Sequence, residues 1–249
     1  MKKLPEKACA SPAHARDRAR TAQPTPSNLL AGLNEIDREA LFGIGQRHTY
    51  AKGEPVFSVG GSSDCVHFLI SGKVRISQPS PLGREVTLWY CLPGEIFGLA
   101  EVAHGGDRTV SASAVEEAEV LSVAQGDFKD LLVRRPQVAL LSMQALSSRL
   151  RVLGEICVNL VADDVATRIA KLILRLSARY GERGKNEIRL NIPLTHQEIA
   201  DMVGTSRQTV SSTLMQLKRQ GVLSIENRRI LIESEELLSG LTQGGATRE

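Results

Sequence analysis

Apolar residues recur along this chain in two rhythms, and the change from one to the other divides it. Between residues 47 and 123, short alternating or β-branched stretches predict strands at 47–51, 55–59, 65–70, 73–78, 84–91, 109–115 and 118–123. Gly53, Gly60-Gly61, Gly72, Gly83, Gly94 and Gly105-Gly106 punctuate them, as in a small barrel or jelly-roll. A short helix at about 35–46 leads in, and another near 126–134 ends at Arg135-Pro136. The rhythm then becomes helical from about Gln137 to Leu160. Ala139, Met143, Leu146, Leu150, Leu153, Cys157 and Leu160 alternate at spacings of four and three. So narrow a seam predicts parallel pairing with the same helix of a second subunit. A helix docked on its own barrel is the other way to satisfy it.

Asp163-Asp164 caps a further helix to about Arg179, 180–186 reads as a loop, and 187–192 as a strand before Pro193. Residues 194–219 then form two short amphipathic helices around Gly204. Thr195 with Glu198 three residues on is a capping box. Ile199, Ala200 and Val203 face inward, and Thr205 or Ser206 caps the second helix. There Val210, Leu214 and Leu217 form the buried face, leaving Arg207, Gln208, Ser211 and Ser212 outside. This is the layout of a helix-turn-helix DNA reader. Arg can bind guanine bidentately and Gln can do so with adenine. If Thr205 were the cap, Gln208 would be its back-reaching partner and read no base. Thr195, His196, Gln197, Ser206 and Lys218 complete the candidate DNA contacts. Val222–Glu226 and Arg229–Glu233 alternate around Asn227-Arg228, predicting a hairpin wing whose tip offers Arg228 and Arg229 to phosphate.

Charge sharpens this division. Residues 165–233 hold twelve Lys and Arg against six Asp and Glu, so this module is net +6 in a chain of net +3. Concentrated positive charge is the footprint of DNA backbone binding. Aromatics at 4% speak against single-strand stacking. No apolar run approaches a membrane span and no signal-peptide core is seen, so a cytoplasmic location is expected. Cysteines 9, 65, 91 and 157 are scattered, without a disulfide framework or zinc spacing. No phosphate loop, metal-ligand spacing or nucleophile–base pair suggests an enzyme. The expected architecture is α+β. It comprises a tail at 1–28, a β-roll sensor at 29–136, a dimerisation helix at 137–162, a winged helix-turn-helix at 163–240 and a tail at 241–249.

This order resembles the Crp/Fnr superfamily of bacterial transcription regulators over about residues 30–235. The closest markers are Gly204-Thr205-Ser206-Arg207-Gln208-Thr209-Val210, and Arg149-Leu150-Arg151-Val152 with Glu155, Asn159-Leu160, Asp164-Val165 and Arg168-Ile169-Ala170. In the roll, Gly72-Lys73-Val74, Pro93-Gly94-Glu95, Phe97-Gly98 and Arg108-Thr109 look like the family's turns and ligand loop. The resemblance implies a cyclic-nucleotide-binding-like roll, a homodimer, a palindromic duplex operator and contact with RNA polymerase, for which the 180–186 loop is a candidate. Arg207 matches the guanine-reading Arg, whereas Gln208 and Ser212 replace residues of the two best-known branches, so a different half-site is expected.

For the effector, Arg108 and Thr109 match the pair that grips a cyclic phosphate. Leu99 stands after Gly98 where cyclic-AMP-binding members place a ribose-holding Glu, and Glu101 is out of register. Leu153 and Gly154 replace two adenine-contacting hydroxyl residues. Cyclic AMP in the usual mode is therefore not expected. Cyclic di-GMP, another anionic ligand or effector-independent binding stay open. An ion pair of Arg108 with Asp107 or Glu101 is an equally open alternative to a phosphate grip. With only Cys9 before residue 65, an iron–sulfur cluster is not expected. Haem is a further alternative, with His48, His67 and His104 as candidate ligands and Cys65 near His67. Cys157 on the seam would face its copy and could be oxidised, or simply pack as a small apolar residue. A regulatory nucleotide-binding module acting through protein contacts is the rival from another class.

Overall fold

The computed structural model describes residues 28–81, 83, 85–184 and 187–243. The tail expected at 1–28 lies outside them but for Asn28, as do the last residues of the tail expected at 241–249. Two short helices, α1 (Leu29–Gly32) and α2 (Glu35–Gly43), are capped by Asn28 and Asn34, whose side chains accept from the backbone N–H groups of Ala31 and Asp37. The strands β1 (Gly45–Tyr50), β2 (Pro55–Phe57), β3 (Cys65–Ser71), β4 (Val74–Pro79), β5 (Glu85–Cys91), β6 (Ile96–Phe97), β7 (Ser111–Ala114) and β8 (Ala118–Ala124) form a roll. Its antiparallel sheets are ordered β1-β8-β3-β6 and β2-β7-β4-β5.

In the first sheet β3 and β8 are buried on both faces, whereas the edge strand β1 is largely exposed. Val66, Phe68, Leu121 and Val123 point at α1, α2, α4 (Gln125–Arg134) and the start of α5 (Pro136–Ala162). Leu69, Ala118 and Val120 point the other way, against Val74, Ile76 and Phe97. Side chains alternating across a strand make both possible. The same alternation sends His67 into the roll.

Helix α5 begins with Pro136 at its first turn, where the missing N–H costs nothing. Val138, Leu141, Ser142 and Ala145 hold its start against the roll. Beyond them Arg149 still bonds the Ile96 carbonyl of the roll, and the helix, about 40 Å long by its 27 residues, reaches the C-terminal module at Leu160. Helix α6 (Val165–Tyr180) is capped by Asp164, which accepts from the Thr167 N–H at 2.8 Å.

The C-terminal module packs α6, α7 (His196–Val203), α8 (Arg207–Arg219) and α9 (Glu235–Gln243) with a sheet ordered β11-β12-β10-β9. Its strands are β9 (Gly181–Arg183), β10 (Ile188–Leu190), β11 (Leu223–Glu226) and β12 (Arg229–Ile232). Several elements differ from the sequence expectation. Gly181–Arg183, expected within a loop, is a strand, because β10 offers it a free edge. Helix α9 runs past residue 240, anchored by the buried Leu238. The sequence pattern does not predict α9 itself, nor the short α1, β6 and α3 (Ala100–His104).

Candidate DNA interface and sensor pocket

The reader is assembled from local signals. Thr195 Oγ1 accepts the Glu198 N–H at 3.1 Å, and Glu198 Oε2 accepts the Thr195 N–H at 2.8 Å. Gly204 takes the left-handed conformation at φ 68°, and a Cβ there would meet Leu160 of α5 at 3.1 Å. Ser206 caps α8, accepting from Thr209 N–H at 3.1 Å. Gln208 is therefore not the third helical residue, and the capping alternative for it lapses. Val210, Leu214 and Leu217 are buried beneath α8. Arg207, Gln208, Ser212 and Lys218 are exposed, and so is Met215 on the same helix, which sequence reading passed over.

Other candidates are engaged at home. His196 Nδ1 and Ser211 Oγ are 2.7 Å apart, joining the two reader helices. Gln197 donates to Asp201 at 2.8 Å, and Ser212 to the Thr209 carbonyl at 2.9 Å. In the wing, Asn227 and Arg228 have φ of 50° and 64°, as a two-residue primed turn requires. Arg228 and Arg229 are exposed there. The Leu194 N–H donates to the Arg228 carbonyl at 2.9 Å, tying the wing tip to the start of α7.

The seam of α5 does not dock on its own roll. Met143, Leu150 and Leu153 are 56%, 70% and 56% exposed, Leu146, Cys157 and Leu160 are also exposed, and Ala139 is half-buried. Leu140, Val158 and Val161 widen this apolar surface.

Inside the roll, Arg108 is buried and turned toward its own chain. Its Nη1 donates to the Gly98 carbonyl at 2.9 Å and to Glu101 Oε2 at 3.0 Å, and its Nη2 to the Cys65 carbonyl. The guanidinium lies 4.2 Å from the Phe57 ring centroid. Arg108 Nε is buried without a hydrogen-bond partner among the described residues. Thr109 N–H and Oγ1 both approach Glu101 Oε1 at 3.5 Å. A Cβ on Gly98 would meet Arg108 Nη1 at 2.8 Å. Of the two alternatives for Arg108, the geometry has the ion pair with Glu101. Leu99 is buried as the N-cap of α3, whereas Leu153 and Gly154 lie on the exposed side of α5. Neither the ribose nor the base of cyclic AMP finds a polar partner among these three.

His67 stacks between Phe57 and Phe97, with ring centroids 5.3 Å from each, and its Nδ1 is 3.0 Å from Ser122 Oγ. Burial, reinforced by the Arg108 charge, pushes its pKa down to about 3. That enclosure and the Ser122 bond do not suit an iron ligand, and His48 and His104 are exposed. Among the described residues no three His, Cys, Asp or Glu gather as a metal site.

A third set of residues joins roll to reader. Tyr90 donates to Glu198 Oε1 at 3.1 Å and is packed within the reader's core. The Tyr180 hydroxyl donates to the Tyr90 carbonyl at 2.7 Å, their rings edge to face at 6.1 Å. Lys73 Nζ donates to the Asn191 carbonyl at 2.6 Å, and Arg179 pairs with Glu95. Burial raises both tyrosine pKa values and that of Glu95, and lowers that of Lys73. In the sequence Lys73 opens an expected strand and Glu95 follows a turn, and neither carries a sign of its partner. Their contacts with residues about a hundred positions away left no local signal.

Two family models match the chain, a cyclic nucleotide-binding domain over residues 47–135 and a Crp-like helix-turn-helix domain over 167–241. The CRP-like cAMP-activated global transcriptional regulator of Mycobacterium tuberculosis is 32% identical over 190 residues, 76% of this chain and 85% of the relative. The cyclic AMP receptor protein of Thermus thermophilus is 32% identical over 219 residues, 88% of this chain and 98% of the relative. Among solved structures, a CooA mutant from Carboxydothermus hydrogenoformans matches with a TM-score of 0.73 at 26% identity, covering 88% of this chain and 99% of that one.

Proposed function

Because this chain belongs to the Crp/Fnr superfamily of transcription regulators, we propose that it is a homodimeric, sequence-specific reader of double-stranded DNA whose roll controls the reader. The observation that carries the proposal is the exposed Arg207, Gln208 and Ser212 above a buried Val210, Leu214 and Leu217, with Arg228 and Arg229 exposed on the adjoining wing. Arg207 and Gln208 read base edges in the major groove, and the wing arginines hold phosphate. The exposed apolar row from Met143 to Leu160 pairs with its copy. A two-fold pair sets its reader helices about one DNA turn, roughly 34 Å, apart, which calls for a palindromic site.

The Tyr90–Glu198 contact makes the roll's state felt at α7, and Glu95–Arg179 makes it felt at α6. A signal acts by favouring one arrangement of roll and reader over another, and only as far as it binds the two differently. The residues around Arg108 do not fit cyclic AMP in its usual pose, so no step runs through that ligand. Contact with RNA polymerase and a cytoplasmic location belong to the same proposal. Among the described residues no helix is long and apolar enough to cross a membrane.

The test is selection of duplexes from a random pool by purified full-length protein, followed by anisotropy titrations over a salt series. A palindromic consensus with affinity falling steeply in salt is expected. Indifference to duplex DNA at low salt would reject the regulator in favour of a module acting through protein contacts.

A further inference from the structure

The donors gathered around Glu101 are those of an oxyanion site: a guanidinium at 3.0 Å, with a backbone N–H and a hydroxyl at the outer limit of hydrogen-bond reach, 3.5 Å. A carboxylate supplies two oxygens to this set, and Arg108 Nε stays buried without a partner. Arg108 thus keeps one donor that Glu101 does not satisfy. Glu101 reaches it from α3, a single turn bordered by Gly98, Gly105 and Gly106 at φ of 68°, 70° and 93°. Leu99 and Val102 pin this turn in the core, so Glu101 leaves the cradle by turning its side chain while the turn stays in place.

We infer that Glu101 is a tethered anion seated where a phosphate-bearing ligand would bind, and that such a ligand enters only by displacing it. The inference rests on reading the roll as a ligand sensor, and does not depend on DNA binding. Arg108 is buried, so its charge needs a counter-anion at every stage. An incoming phosphate returns to Arg108 the charge that Glu101 takes away. Loss of the Glu101 charge removes the competitor and leaves the buried Arg108 without its anion, so a phosphate is then held more tightly. The residue thus sets which ligands the roll accepts: weak phosphate binders are excluded, and only a ligand with further contacts can displace it.

Calorimetric titration of full-length protein with inorganic phosphate, and separately with cyclic AMP, tests this. Glu101→Gln should bind phosphate at least about tenfold more tightly than wild type, the scale of one charge-assisted hydrogen bond. Adding Arg108→Gln should erase the gain, which excludes the basic reader as the site. A larger gain for cyclic AMP than for phosphate would identify a nucleotide as the phosphate's source; an equal gain would identify the free anion. Should Glu101→Gln fail to fold, Glu101→Asp withdraws the carboxylate by one methylene and should show an intermediate gain. Equal phosphate affinity in wild type and the folded variant, or a gain that survives Arg108→Gln, overturns the inference. Because no DNA is present, failure here leaves the operator-selection result untouched.

Discussion

The Tyr90 hydroxyl donates to one oxygen of Glu198 at 3.1 Å while the other oxygen of the same carboxylate caps α7. Roll and reader thus share a single side chain. Glu198 cannot change partners at Tyr90 without disturbing the end of the helix it caps.

Tyr90→Phe removes this bond and keeps the ring against Tyr180. Its expected cost to docking is about 1 kcal/mol, the net worth of one hydrogen bond. Hydrogen exchange should show roughly fivefold faster opening at α7, with the roll's first sheet unchanged. Unaltered protection of α7 would mean that the contact transmits nothing.

Arg207→Ala should weaken operator binding by about 1–3 kcal/mol and relax one base position. Arg228→Ala should act differently, weakening all sequences alike and reducing the salt slope by about one. Competition binding with single-base operator variants separates the two. A uniform loss for Arg207→Ala would remove it from base reading.

Leu150 and Leu153 are mostly exposed in the single chain. Replacing both with Glu should leave each subunit folded and abolish the dimer, because charges would replace the apolar seam. Sedimentation should report a monomer with an unchanged circular dichroism spectrum. A persistent dimer would locate the interface elsewhere.

His67 makes stability acid-sensitive. Its pKa of about 3 in the fold returns to about 6.5 in the unfolded chain. Between those values the unfolded state binds the extra proton. Stability is therefore intact above about pH 6.5 and falls as the pH drops toward 3, by about 1.4 kcal/mol per unit. His67→Gln should flatten this slope between about pH 6.5 and 5, even though the lost ring packing lowers stability throughout. Urea midpoints across that range decide it; parallel slopes would assign the acid sensitivity to other groups.

The reader was legible because its determinants are neighbours in sequence. Thr195 and Glu198, Gly204, the Val210–Leu214–Leu217 face and the Asn227-Arg228 turn each act within a few residues. The long helix and its exposed apolar row were equally legible, since helical period is a local property. Around Arg108 the sequence left a phosphate grip and an ion pair with Asp107 or Glu101 both open, and the choice depends on α3, five residues too short to show a period. Gly181–Arg183 carries no alternation of its own and is a strand only through pairing with Ile188–Leu190. Tyr90 and Glu198 stand 108 residues apart, and only the packed fold brings them together.

The bond from Leu194 to the Arg228 carbonyl has a mechanical consequence. The hairpin tip and the leading end of α7 are stitched into one tool, so a displacement felt at Glu198 would carry Arg228 and Arg229 along with α7. Control exerted through Tyr90 would then alter specific and nonspecific affinity together, and the regulator would leave the duplex altogether when switched, without first loosening its discrimination.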